Sequence, residues 1–185
     1  IDHWSQTVAD PRGMILSGAG LTYYGGLIGG ALAVAFTGRR HRIPIGHLAD
    51  LGAPLIALGY AVGRVGCLLN GDDYGRPSSV PWAMTFPKGT PPTTTPVHPT
   101  QLYEVAAGLL MYVILNSLKD RITKPGALFG LYLMFAGIER FLVEFVRTNE
   151  PLALGMTMAQ WISFGLFAAG LAMLMRSPDA SARAV

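Results

Sequence analysis

Four side chains in this sequence are placed for anion chemistry: Arg64, Arg140, Glu144 and Arg147. Arg64 belongs to GRVGCLLNGDDYGR, residues 63–76, and lies six residues before an apolar run from Leu48 gives way at Asn70. At 1.5 Å per helical residue that is about 9 Å short of the boundary. Arg140 lies seven residues before Arg147, at nearly the same depth. The spacing i, i+4, i+7 puts Arg140, Glu144 and Arg147 on one helical face and turns Glu139 away from it. A charge at the centre of a membrane helix costs roughly 2.5 to 3.5 kcal/mol on insertion scales, so each needs a partner or a purpose. Three arginines near one carboxylate leave a positive surplus unless Asp72, Asp73 or Glu104 folds back to meet it. A guanidinium fork donates two parallel hydrogen bonds to a phosphate, and at this depth the phosphate of an outer-leaflet phospholipid is the natural complement. A structural network, Arg64 with Asp72 or Glu104 and Arg140 with Glu144, fits the same charges.

These side chains need membrane helices to position them. Of the 185 residues 51% are hydrophobic and 14% charged, with a mean hydropathy of +0.39, where a soluble domain carries about 25% charged residues. Apolar stretches of spanning length occur at Gly20–Thr37, Leu48–Leu69, Leu102–Leu118, Ala127–Val146 and Leu154–Met175. The expected fold is an all-α integral membrane protein, a polytopic helical bundle of five transmembrane helices forming a single domain over 1–185. Residues 70–101, rich in Pro and Thr, form an extracytoplasmic loop or cap in which WAMTF is either a short strand or an interfacial aromatic anchor. Arg39, Arg40, Arg42, Lys119, Arg121, Lys124, Arg176 and Arg183 fall on one side, and Arg12, Arg76, Lys88 and Arg147 on the other. That bias predicts a cytoplasmic C-terminus. The chain starts at Ile1 with a polar segment, which reads as a fragment whose first helices are missing.

Other features are weaker. Basic residues come as short clusters between apolar runs, which argues against nucleic acid as a partner. The single cysteine, Cys67, has no CxxC or histidine companion, so no metal or cofactor is expected. YYGGLIGG carries the pairs Gly25/Gly29 and Gly26/Gly30, suited to close helix approach. Asp50 reads as an interfacial or helix N-terminal charge. His98, in HPTQLYE, stands at the outer mouth of the third span, where a surface role is commoner than a catalytic one.

YYGGLIGG at 23–30, DLGAPLIALGYAVGRVGCLLNGDDYGRP at 50–77, HPTQLYE at 98–104 and ERFLVEFVR at 139–147 together resemble the bacterial prolipoprotein diacylglyceryl transferases. They occur in that family's order and span most of the chain. The resemblance implies a multi-pass enzyme of the bacterial inner membrane with its active site facing the periplasmic side. It moves the diacylglyceryl group of phosphatidylglycerol onto the lipobox cysteine of a preprolipoprotein signal peptide, forming a thioether and releasing glycerol phosphate. Family members have about seven spans, of which these five match the last.

Carried over by position, Arg64 matches the arginine assigned to phosphatidylglycerol and Arg140 the second essential arginine, followed by Glu144 and Arg147. Asn70 and Gly75 match as well, and Asp72 replaces a glutamate; these residues, with Arg64, Glu144 and Arg147, are expected to bind substrate. Arg140 and Tyr24 are expected to be catalytic. Tyr24 stands where some members have a histidine proposed as base, Cys67 where many have asparagine, and Ala136 where some have tyrosine. A tyrosine of ordinary pKa near 10 is a poor base at neutral pH, so stabilising the phosphate leaving group is expected to carry much of the rate. The other readings are a transporter or flippase for anionic lipids and a non-catalytic homologue. A transporter needs charges through the full membrane depth, and the inner half holds little beyond Asp50.

Overall fold

A computed structural model describes residues 23–176, which divide into two compact units at residue 45. The first unit contributes α1 (Tyr23–Arg40). Gly26, Gly29 and Gly30 are exposed on it, and a Cβ added to any of them meets nothing within 4 Å.

The second unit holds α2 (Ile45–Asn70), a hairpin of β1 (Met84–Phe86) and β2 (Thr93–Val97), then α3 (Thr100–Leu118), α4 (Ala127–Glu144) and α5 (Met158–Arg176). Three of the described helices, α2, α3 and α5, are long and apolar enough to cross a membrane. The chain is an all-α, multi-pass membrane protein. Its helices are built for lipid on the outside: Leu51, Leu55, Val62 and Leu69 of α2 face outward, while Ala53, Ala57 and Ala61 form its buried stripe. With no water to expel between helices, association rests on close packing of small residues. A Cβ on Gly108 of α3 would lie 3.0 Å from Ala61 and 3.2 Å from the Ala57 carbonyl, and one on Gly130 of α4 would lie 2.9 Å from the Gly170 carbonyl of α5. Met111, Leu115 and Leu128 close the core around Ala53 and Ala57.

The helix ends differ from the apolar runs for local reasons. The fifth helix begins at Met158 rather than at Leu154, because Leu154 and Gly155 turn the chain with φ of 52° and 72°. Thr157 and Gln160 then cap each other: the Gln160 side chain accepts from Thr157 N–H at 3.0 Å and the Thr157 hydroxyl from Gln160 N–H at 3.3 Å. This is a capping box spelled T-x-x-Q. The fourth helix ends at Glu144 and tightens, Val146 and Arg147 donating to carbonyls three residues back. The α4 N-terminus is capped from another helix: Asp50 of α2 accepts from Gly126 N–H at 2.6 Å and Phe129 N–H at 2.8 Å. Asp50 is therefore a helix N-terminal charge, serving α4 and not its own helix.

The long loop does form a small cap. Strands β1 and β2 pair antiparallel, Met84 with Val97 and Phe86 with Thr93. Tyr74 stacks on Phe86 with ring centres 5.5 Å apart. In WAMTF the strand expectation holds for Met84–Phe86, while Trp82 is half-exposed and donates to the Tyr103 hydroxyl at 2.6 Å.

Candidate active site: an arginine–carboxylate network

Where α2, α3 and α4 meet beneath the cap, three arginines converge on one carboxylate. Glu104, on α3, is fully buried. Its Oε2 lies 3.1 Å from Arg64 Nε, and its Oε1 lies 3.4 Å from Arg147 Nη1 and 3.9 Å from Arg140 Nη1. The equal depth expected of Arg64 and Arg140 is visible in this shared partner. Asp73 bridges on the cap side, 2.7 Å from Arg64 and 2.8 Å from Arg147. Glu144 pairs with Arg140 across one helical turn at 3.0 Å and accepts from Asn149 at 2.7 Å.

The backbone is organised to aim these groups. Asp73 sits at φ 60°, a left-handed conformation that aspartate tolerates better than most residues. Thr100 and Gln101, both completely buried, hold the loop below it by donating to the carbonyls of Asp73 and Asp72. HPTQLYE thus ties the NGDD turn to the start of α3 and puts Glu104 on the same face one turn later. Gly75 lies where the loop crosses the end of α4: Gly75 N–H donates to the His98 carbonyl at 2.8 Å and Arg76 N–H to the Val146 carbonyl at 2.8 Å. A Cβ on Gly75 would collide with the Val146 carbonyl and come within 2.9 Å of Thr100.

The network is close to neutral, by the route the sequence left open. Of the three acids named as able to fold back, Asp73 and Glu104 do, so the three arginines meet three paired carboxylates and no positive surplus remains. Arg147 turns to Asp73 and Glu104 instead of Glu144, because the tightened winding after Glu144 carries it off the regular helix. Burial raises the Asp73 carboxyl, but the Arg147 and Arg64 guanidiniums outweigh this and hold it below its ordinary 3.8.

Asp72 accepts from Asn70 at 2.6 Å and stands beside the arginines without pairing with them. Tyr24 lies in α1, and its side chain is outside the described residues. Cys67, Asp72 and Asp73 lie close enough to share a cation, yet Arg64 already takes that place: its Nη1 is 2.7 Å from Asp73 and 3.8 Å from the Cys67 sulfur. His98 meets the Tyr103 hydroxyl at 3.1 Å, outside the arginine network.

One donor is left open. Arg140 Nη1 is buried and has no hydrogen-bond acceptor among the described residues, the Glu104 oxygen being 3.9 Å away. Tyr60 and Glu139 complete the surroundings and were not singled out in the sequence. The Tyr60 ring lies under the Arg64 guanidinium, 5.2 Å from its carbon, and its hydroxyl donates to Glu139 at 3.2 Å. The signal for Tyr60 was its place one turn before Arg64 on α2.

Helices packed through small residues, with ionised groups buried at one level beneath an ordered cap, define a polytopic membrane protein with a buried arginine–carboxylate site. The prolipoprotein diacylglyceryl transferase family model matches residues 6–176, and the chain belongs to that family. Among its relatives, the phosphatidylglycerol–prolipoprotein diacylglyceryl transferase of Bordetella avium is 38% identical over 169 residues, covering 89% of this chain and 63% of the relative. Those of Idiomarina loihiensis, at 36% with 85% and 60% covered, and Pseudomonas syringae pv. tomato, at 37% with 90% and 65% covered, carry the same name. The chain thus spans 60 to 65% of the length of these relatives.

Proposed function

We propose that the chain is a membrane-embedded transferase domain that moves the diacylglyceryl group of phosphatidylglycerol onto the lipobox cysteine of a preprolipoprotein signal peptide. It works in the bacterial inner membrane, with the arginine site facing the periplasmic side. The observation that carries this reading is the pairing of Arg64 and Arg140 across Glu104, with Arg140 Nη1 lacking a hydrogen-bond acceptor among the described residues. In the proposed clamp, Arg64 and Arg140 take the lipid phosphate, Glu144 and Arg147 orient their partners, and Asn70, Asp72 and Gly75 shape the turn that carries Asp73. The same guanidiniums stabilise the negative charge that develops as glycerol phosphate leaves.

Between α4 and α5 runs an apolar groove of about 230 Å³ lined by Gly137, Ile138, Phe141, Leu142, Phe164 and Phe167. It suits an acyl chain of the same lipid, one residue along α4 from Arg140. A transport path finds less support: Asp50, the inner charge on α2, is committed to the α4 N-terminus.

The test is transfer from phosphatidylglycerol vesicles to a lipobox peptide, read as the mass gain of a diacylglyceryl group. Arg64→Ala and Arg140→Ala should each lose on the order of 10² to 10³ in rate, the effect of removing one stabilising donor from a developing oxyanion. Lysine at either position should restore only part, since it lacks the fork. Normal turnover in both alanine variants would defeat the clamp.

A further inference from the structure

Glu139 is the buried carboxylate that the clamp does not use. It is 9% exposed, and among the described residues its carboxylate is engaged by the Tyr60 hydroxyl at 3.2 Å and by no arginine. The charged and titratable groups around it are Tyr60 and Arg64 on α2, Glu104 on α3 and Arg140 on its own helix. Counting it, three arginines face four carboxylates: Asp73, Glu104, Glu139 and Glu144. An incoming phosphodiester adds a further negative charge, and its conversion to a phosphomonoester adds one more. Of the four, Glu139 can give up its charge without breaking an arginine pair.

We infer that Tyr60 and Glu139 form the proton-accepting pair for the incoming thiol, Tyr60 touching the sulfur and Glu139 storing the proton. This rests on the transferase reading. Because the Tyr60 ring lies under the Arg64 guanidinium, a phosphate held by Arg64 is held beside the Tyr60 hydroxyl. Tyr60 takes the proton from the thiol and passes its own to Glu139 Oε1. The sulfur forms its bond to the glyceryl carbon while the carbon–oxygen bond to phosphate breaks, and the electron pair leaves on glycerol phosphate. Glu139 loses one negative charge as the leaving phosphate gains one, so the site's net charge is constant through the step. The proton then returns through Tyr60 to the departing phosphate or to water.

The experiment compares the full-length protein that contains this chain with its Glu139→Gln, Glu139→Asp and Tyr60→Phe variants in phosphatidylglycerol vesicles. It measures single-turnover transfer to a lipobox peptide from pH 6 to pH 9 and, separately, retention of phosphatidylglycerol by mass spectrometry. Glu139→Gln and Tyr60→Phe should slow transfer about 10²-fold near pH 7, the lower end of general-base effects, with lipid retention unchanged. Their rates should climb nearly tenfold per pH unit toward the thiol pKa of about 8.5, because only preformed thiolate then reacts. The wild type should climb far less, and Glu139→Asp should recover part of the rate.

Wild-type rate and pH profile in both Glu139→Gln and Tyr60→Phe overturns the inference. So does loss of lipid retention together with rate and without rescue at high pH, which marks a structural pair. Tyr60→Phe keeps the ring on Arg64, so it decides the matter if Glu139→Gln does not fold. Absence of thioether from the wild-type full-length protein overturns the transferase reading, and this one with it; thioether formation with ordinary pH profiles in the variants overturns this one alone.

Discussion

Asp73 joins the cap to the helices with one carboxylate. It reaches Arg64 of α2 and Arg147 beyond α4 from a backbone at φ 60°. Its folded pKa is depressed, so its stabilisation is fully present above the unfolded value and is lost as pH falls through the folded one. Thermal unfolding in detergent should show wild type above Asp73→Asn from about pH 5 upward, with the gap closing in acid below its ordinary pKa. The side chain is 43% exposed, so the gap is modest and shrinks further in salt. Asparagine is the right probe because it also tolerates the left-handed backbone. At this scale the sequence exposed the arginines, since a charge inside an apolar run is conspicuous. It did not say which of two adjacent aspartates would meet them, because that choice is made by one backbone angle and by the Thr100 and Gln101 side chains.

Helix α4 carries Glu139, Arg140 and Glu144, and its seating depends on the far end. Gly126, the residue before α4, has no side chain to cap it, and Asp50 supplies the acceptor from α2. Asp50→Ala should lower stability by about 1 to 2 kcal/mol, as for a lost cap, measured by thermal unfolding, with Asp50→Asn falling between. The elements themselves were legible from apolar run length alone. Their ends were not, because they are set by polar contacts that hydropathy does not see: the T-x-x-Q box starts α5 at Met158, and the tightened turn closes α4 at Glu144. Spacing placed Arg147 on the Glu144 face by assuming regular winding to the end.

For the whole molecule, the charge bias along the chain predicts that the α1–α2 and α3–α4 connections and the C-terminus share the cytoplasmic side. A C-terminal green fluorescent protein fusion should be fluorescent, and alkaline phosphatase inserted in the cap at residues 87–90 should be active. The opposite pair of results would invert the topology and move the arginine layer to the inner leaflet. The family was legible because its signature stretches retain their order, while Tyr24, Cys67 and Ala136 depart from the pattern at single positions.

The Asp50 cap also bears on how the lipid of the proposed reaction would enter. It ties α2 to α4 at one end, and the Tyr60–Glu139 bond, with Arg64 and Arg140 sharing Glu104, ties the same two helices at the other. Asp50 and Arg64 are 14 residues apart on α2, about 21 Å at helical rise. Two fastenings that far apart make α2 and α4 a stiff doorframe, and in the proposed reaction a two-tailed lipid is expected to enter by displacing α5 or the cap and not by prising the pair open.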